Sequence, residues 1–190
     1  MTRFVDRGAI VAAYVGIGMA LVIAVSFLLV IPIEPAYWLL APLSGLLIGY
    51  YADARADRRS GPWLRIIGNG LFAGLVTGLT LAILLLGVKA LFFAADNGFR
   101  DPGLGGPLTC QGGASCVFAR YEAQDAAGLA SAGITDVGSF TSFYWGQQFQ
   151  TAGTLIVVTL AGSAGGALAF GFTRVSKGPR PDTAGQAPGG

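Results

Sequence analysis

Cys110 and Cys116 are the only cysteines in a chain of 190 residues that contains no histidine. Without histidine there is no Ser-His-Asp or Cys-His catalysis, no imidazole metal site and no imidazole proton relay. Two thiolates fall short of the four ligands a structural zinc takes. Five residues separate the pair, wider than the Cys-x-x-Cys of redox centres, which also need an electropositive helix start. The favoured chemistry is a disulfide between the two as a structural staple, with reduced thiols, a link to a partner or a redox role as the alternatives. The intervening Gln-Gly-Gly-Ala-Ser is small and flexible enough to bring the two α-carbons within roughly 4.4–6.8 Å.

Other templates fail earlier. Glu122 and Asp125 lie three apart on a polar stretch and read as a solvated helix face. Gly103-x-Gly105-Gly106 is flanked by prolines and opens no helix, and no P-loop, GxSxG or HExxH occurs. The sequence therefore predicts no enzyme, no cofactor and no metal. Lys89, near one end of a long apolar run, has a stem that can lie along apolar surface while its ammonium reaches the headgroups. Alternatively it anchors the following loop or meets a lipid phosphate. Arg55, Arg58 and Arg59 form a cluster that serves as a topology signal and could also contact anionic lipid.

The composition says what positions these residues. At 53% hydrophobic and 12% charged, with mean hydropathy +0.62, the chain is too apolar for a soluble domain and reads as an integral membrane protein. A net charge of +2 excludes a nucleic-acid-scale basic surface.

Four apolar segments are candidates for spanning a core that needs roughly 20 helical residues: about 8–31, 36–52, 64–94 and 151–173. The first is read as a retained span, too long for a signal peptide and without a cleavage site. The second is short and contains Pro42, so a re-entrant hairpin is its alternative. The third, if all helical, exceeds the membrane's thickness. Arg3 and Arg7, then Arg55, Arg58, Arg59 and Arg65, then Arg174, Lys177 and Arg180 fall on one side if there are four spans. Basic residues are retained in the cytoplasm, so both termini are expected there. The fold class is accordingly an all-α integral membrane protein, with four transmembrane helices in a compact bundle and a large outer loop, 95–150, between the third and fourth.

That loop is far longer than the roughly 2–8 residues that usually join neighbouring helices. A short helix is expected over Val117–Ala130 and an interfacial aromatic helix over Thr135–Phe149, turning into the last span. Its outer position is where disulfides persist. Residues 176–190, rich in proline and glycine, are expected to be a disordered cytoplasmic tail.

In lipid, helices associate through close packing of small residues. Gly70, Gly74 and Gly78 give two successive G-x-x-x-G steps, and Ala41, Gly45 and Gly49, and Gly162 with Gly166, give similar rows. Whether the Gly70–Gly78 row packs within the chain or against another subunit is open at this level. The layout is similar in outline to that of tetraspanins. The Cys-Cys-Gly signature of that family is absent, so the likeness is topological and implies no membership. Arginine over lysine and abundant glycine point to a GC-rich bacterial genome and an inner-membrane location. The expected function is that of a non-enzymatic accessory or assembly subunit, contacting membrane lipids and other membrane subunits or copies of itself through its glycine faces and outer loop. The alternative is a small oligomeric channel or carrier for an uncharged or lipidic solute.

Overall fold

The computed structural model describes residues 5–29, 34–56, 62–95 and 112–176, with side chains described except at 27–29, 34–37 and 174–176. It is all-helical over these residues: α1 Arg7–Leu29, α2 Glu34–Arg55, α3 Trp63–Ala95, α4 Ala114–Ser131 and α5 Val137–Ser176. Three of the five, α1, α3 and α5, are long and apolar enough to cross a membrane. α2 has 22 residues, about 33 Å of helix, yet Glu34, Asp53 and Arg55 lower its hydropathy and it does not join those three. Among the described residues the fold is thus five helices with three membrane-spanning candidates, and α2 does not meet the same length and hydropathy as a fourth.

Small residues set the packing. α1 runs against α2, with Gly8 beside Ala52 and Ala56, and alongside α3, with Gly16 beside Thr77. α5 packs on the other side of the same two helices. Gly162 faces the Pro42 carbonyl and Gly166 the Leu46 carbonyl, so α2 and α5 run parallel, whereas Gly70 faces Ala167 and Gly78 faces Ile156, so α3 and α5 run antiparallel. The first two buried apolar clusters are correspondingly alanine-rich, with Ala9, Ala12, Ala52 and Ala73 around Ile48 and Ala20 and Ala41 around Leu81, Leu85 and Leu155.

α5 departs most from expectation. It is one uninterrupted helix of 40 residues, about 60 Å long, where an interfacial helix and a separate span were expected. Gln147, Gln148 and Gln150 lower the hydropathy without breaking the helix, since Gln is a good helix former and no proline intervenes. Much of the expected outer loop is therefore helical, and only residues 96–111 of it lie outside the described chain.

The α4–α5 connection is built from two caps. Gly133, at φ 72°, donates to the Ala130 carbonyl at 3.0 Å and Ile134 to the Leu129 carbonyl at 2.9 Å, which is a Schellman ending with its apolar contact between Ile134 and Leu129. Asp136 then opens α5, its Oδ1 accepting from the N–H groups of Gly138 at 2.7 Å and Ser139 at 3.0 Å. Those bonds hold its carboxyl below the ordinary value, the Ser139 backbone N–H contributing most. Asp125, expected on a solvated face, has a structural role. It leaves helical geometry (φ −151°, ψ 65°) and its Oδ1 accepts from the Gly128 N–H at 2.8 Å, so α4 is two helical pieces with Asp125 capping the second.

Candidate functional site

Asp6, Asp53 and Asn69 meet where the N-terminal ends of α1 and α3 reach the C-terminal end of α2. Asp6 stands at the N-cap position of α1, its carbonyl accepting from Ala9 at 3.1 Å. The Asn69 carboxamide uses all its groups there. Nδ2 donates to Asp6 Oδ2 at 3.0 Å and, at a longer 3.4 Å, to Asp53 Oδ1, while Oδ1 accepts the Asp6 N–H at 3.2 Å. Asn69 and Asp53 are both fully buried, and Asp6 is half-buried. A hydrogen bond is worth about 0.5–1.5 kcal/mol net, and leaving a buried polar group unsatisfied costs about 1–3 kcal/mol. Chemically, this is a clamp: one neutral amide holds two carboxylates on two other helices.

Sequence reasoning missed Asp53, which lies one residue past the second apolar segment, 36–52. Spacing carries the signal. Gly45, Gly49 and Asp53 recur at i+4, so the small-residue seam of α2 runs directly into the carboxylate. Likewise Asn69, Ala73 and Thr77 form one buried stripe of α3 facing α1, beside the Gly70, Gly74 and Gly78 stripe facing α5.

The seam glycines lie within the chain. A Cβ at Gly45 would come within 2.1 Å of the Thr159 carbonyl oxygen, one at Gly49 within 2.1 Å of the Ser163 carbonyl oxygen, and one at Gly74 within 2.4 Å of Ser163 Cβ. Ser163 is thus enclosed by α2 and α3, and its hydroxyl donates across the interface to the Gly70 carbonyl. The neighbouring hydroxyls stay local, Thr77 bonding to the Ala73 carbonyl at 2.9 Å, Thr159 to Leu155 at 2.7 Å and Ser44 to Ala41 at 2.8 Å.

Of the remaining candidates, Arg55 is exposed at the end of α2 and Lys89 half-buried near the far end of α3, while Arg58 and Arg59 lie outside the described residues. Cys116 is buried in α4. Cys110 lies outside the described residues. Among the described residues no three His, Cys, Asp or Glu side chains converge as metal ligands would.

At the far end α3, α4 and α5 form a second feature. Phe140 is fully buried among Leu129, Ile134 and Tyr144, with Phe93, Val117 and Phe118 packed around them. Phe93 packs against Tyr144 with ring centroids 4.9 Å apart and against Trp145 at 5.5 Å, both tilted, and Trp145 approaches Phe149 at 6.2 Å. The Gly113 N–H donates to the Phe93 carbonyl at 2.9 Å, which ties the start of α4 to the end of α3.

The α3–α5 pair carries another aromatic contact at its other end, Trp63 on Phe172 at 5.4 Å. Thirty positions separate Trp63 from Phe93, about 45 Å of helix, and twenty-seven separate Trp145 from Phe172, about 40 Å. A bilayer with its headgroups is about 40–45 Å thick, and aromatic side chains favour its two interfaces. No known family model matches the chain, and no curated protein or solved structure matches it either.

Proposed function

We propose that the chain is a non-enzymatic accessory or assembly subunit of a membrane complex, held by four passes of α1, α2, α3 and α5 and contacting its partner through the aromatic module at the α4 end. The observation that carries this reading is the division of labour between the two ends. The glycine faces are occupied by α2, α3 and α5 of the same chain, so partner contact falls to the module, where Phe149 is 61% and Tyr121 39% exposed around a packed aromatic core. Exposed aromatics beside a rigid core are common anchors of protein interfaces. The buried hydroxyls, bonded within the bundle, offer little lining for a solute path, which favours the subunit over the carrier.

In this reading α1 and α3 run outward and α2 and α5 inward. The module then faces the outside of a bacterial inner membrane, with both termini and the segment from 176 onward in the cytoplasm. Cys116 is joined to Cys110 there, consistent with the absence of any free thiol among the described residues. Photo-crosslinking amino acids placed at Phe149 and Tyr121, with Ile83 on the lipid-facing side of α3 as control, test the proposal in native membranes. One discrete protein adduct from both module positions and none from Ile83 is expected. Equal adducts at all three positions, or a monomer without adducts, would overturn it.

A further inference from the structure

Tyr14 of α1, a helix with the length and hydropathy of a membrane span, is 71% exposed. Its hydroxyl has no hydrogen-bond partner among the described residues. Depth follows from the helix rise. Tyr14 lies eight residues past Asp6, which is bonded to Asn69, and Asn69 lies six past Trp63. Gly16 beside Thr77 gives a second reading of the same level. Together they put Tyr14 about 18 to 21 Å above Trp63, against about 45 Å between Trp63 and Phe93. The hydrocarbon begins about 7 Å above the Trp63 level. Its edge is thus at least about 10 Å from Tyr14, farther than a tyrosine side chain reaches, so the hydroxyl lies in lipid.

Lipid-facing side chains of the other helices near this level make no such demand. Leu46 on α2, Leu75 and Leu79 on α3 and Val157 on α5 are apolar, and the exposed Thr154 hydroxyl donates to the Gln150 carbonyl at 2.9 Å. With no water in the bilayer core, a hydroxyl there is satisfied only by another helix. The inward side of α1 is already taken, with Ala9, Ala12 and Ala20 buried and Gly16 against Thr77. Its outward side carries Val11, Tyr14, Gly18, Leu21 and Val25, all exposed, at the alternating three- and four-residue steps of a parallel helix seam. A Cβ at Gly18 would meet nothing within 4 Å, so one turn from Tyr14 the row has a notch with room for a second ring. The row ends at Arg7, one heptad below Tyr14, whose long stem lets its charge reach the headgroups.

A second copy of the chain meets the need of Tyr14 by symmetry. Inserted the same way, it brings its own Tyr14 to the same depth, and a phenol both donates and accepts, so the two hydroxyls satisfy each other across a two-fold axis. A different membrane protein would have to carry a polar group at this one level. We propose that two copies pair through the outward faces of α1, parallel and related by a two-fold axis along the membrane normal, with one Tyr14 hydroxyl donating to the other. The pairing requires only that α1 crosses the membrane, and is independent of the partner proposed above for the α4 end.

The test uses the purified full chain, carrying a donor or an acceptor fluorophore at its C-terminus, in phosphatidylcholine liposomes over a range of protein-to-lipid ratios. Energy transfer between copies is expected to rise with that ratio. Tyr14→Phe keeps the ring and removes only the hydroxyl, and should weaken association about 3- to 20-fold, the range for one hydrogen bond between membrane helices. Gly18→Leu fills the notch without touching the rest of the chain and should weaken it further, whereas Phe149→Ser, at the α4 end, should leave it unchanged. A photo-crosslinking residue at Leu21 should give an adduct of two chains, and one at Val157 none. No energy transfer at any ratio, association unaffected by Tyr14→Phe, loss of association in Phe149→Ser, or adducts at Val157 as strong as those at Leu21 would each overturn the proposal.

Discussion

Asp6 and Asn69, 63 residues apart, close a ring of two hydrogen bonds: the Asn69 amide donates to Asp6 Oδ2 at 3.0 Å and the Asp6 N–H returns to Asn69 Oδ1 at 3.2 Å. The ring fixes the register of α1 on α3. The same offset of about 61 to 63 positions recurs at Gly16 against Thr77, so a single polar contact at the helix ends agrees with the apolar packing along them. Asp53 on α2, reached by the second Nδ2 hydrogen, adds the third helix.

Asn69→Leu should therefore be the most disruptive polar substitution in the bundle. It removes a donor from a fully buried carboxylate and from Asp6 together. The expected loss is about 2–4 kcal/mol, within the range for breaking a buried charged network. Asn69→Asp should also destabilise, by placing a third carboxylate beside two. Unfolding by sodium dodecyl sulfate from mixed micelles measures both. A loss under about 0.5 kcal/mol for Asn69→Leu, the scale of an ordinary surface change, would show that the clamp does not hold the helices.

Glycine substitutions should divide sharply by position. At Gly49 and Gly166 an added Cβ would lie 2.1 Å from the Ser163 oxygen and 2.0 Å from the Leu46 oxygen. Both obstacles are backbone, so α2 and α5 must separate, and Gly→Ala should cost about 1–3 kcal/mol. At Gly68 and Gly153 nothing lies within 4 Å, so Gly→Ala should stabilise by about 0.5–1 kcal/mol through helix propensity alone. The same unfolding titration ranks the four, and equal losses throughout would remove the seam from the account.

How much of this was legible in the sequence depends on the kind of signal. The glycine rows of α2, α3 and α5 were visible as i+4 spacings, but spacing could not say which helix lies opposite. The parallel pairing of α2 with α5 is set by three-dimensional neighbours with more than a hundred residues between them. Asp53 was hidden because a charge after an apolar run reads as the end of a span, although its spacing from Gly45 and Gly49 places it on the buried face. The continuity of α5 was hidden for a related reason. Hydropathy falls at Gln147–Gln150 while helix propensity does not, and only the latter decides where a helix stops. The aromatic flank over Phe140–Phe149 was legible as a pattern, whereas its contact with Phe93 comes from the antiparallel pairing of α3 with α5, which spacing could not supply.

Ser163 and Gly74 should behave as a coupled pair. The Ser163 side chain occupies the space a Cβ at Gly74 would need, 2.4 Å from its own Cβ, and its hydroxyl bonds to the Gly70 carbonyl one turn away. Ser163→Ala should cost about 0.6–1.7 kcal/mol, the range for a hydrogen bond between membrane helices. Gly74→Ala alone should cost more, because Ser163 cannot retreat from between α2 and α3. In Gly74→Ala with Ser163→Gly the clash is gone, so the double substitution should lose at least about 0.5 kcal/mol less than the separate Gly74→Ala and Ser163→Gly losses added. Strict additivity in the cycle would mean that the two residues do not share one space.

Asp136 gives the α4–α5 connection a pH dependence of known sign. Bonds from Ser139 and Gly138 lower its pKa from the model-compound value of 3.8, so the folded state holds the carboxylate more tightly than the unfolded chain does. The stabilisation is complete above that unfolded value and is lost as pH falls through the lower folded one. Amide exchange at Gly138, Ser139 and Phe140, corrected for its intrinsic pH dependence, should show the first turn of α5 opening below pH 3.8 and staying closed above it. Asp136→Asn retains an N-cap acceptor without a titrating group, so its protection should be flat across the same window. Asp136→Ala should open the turn at every pH. If the wild type and Asp136→Asn follow the same curve, some other group governs the acid sensitivity of α5.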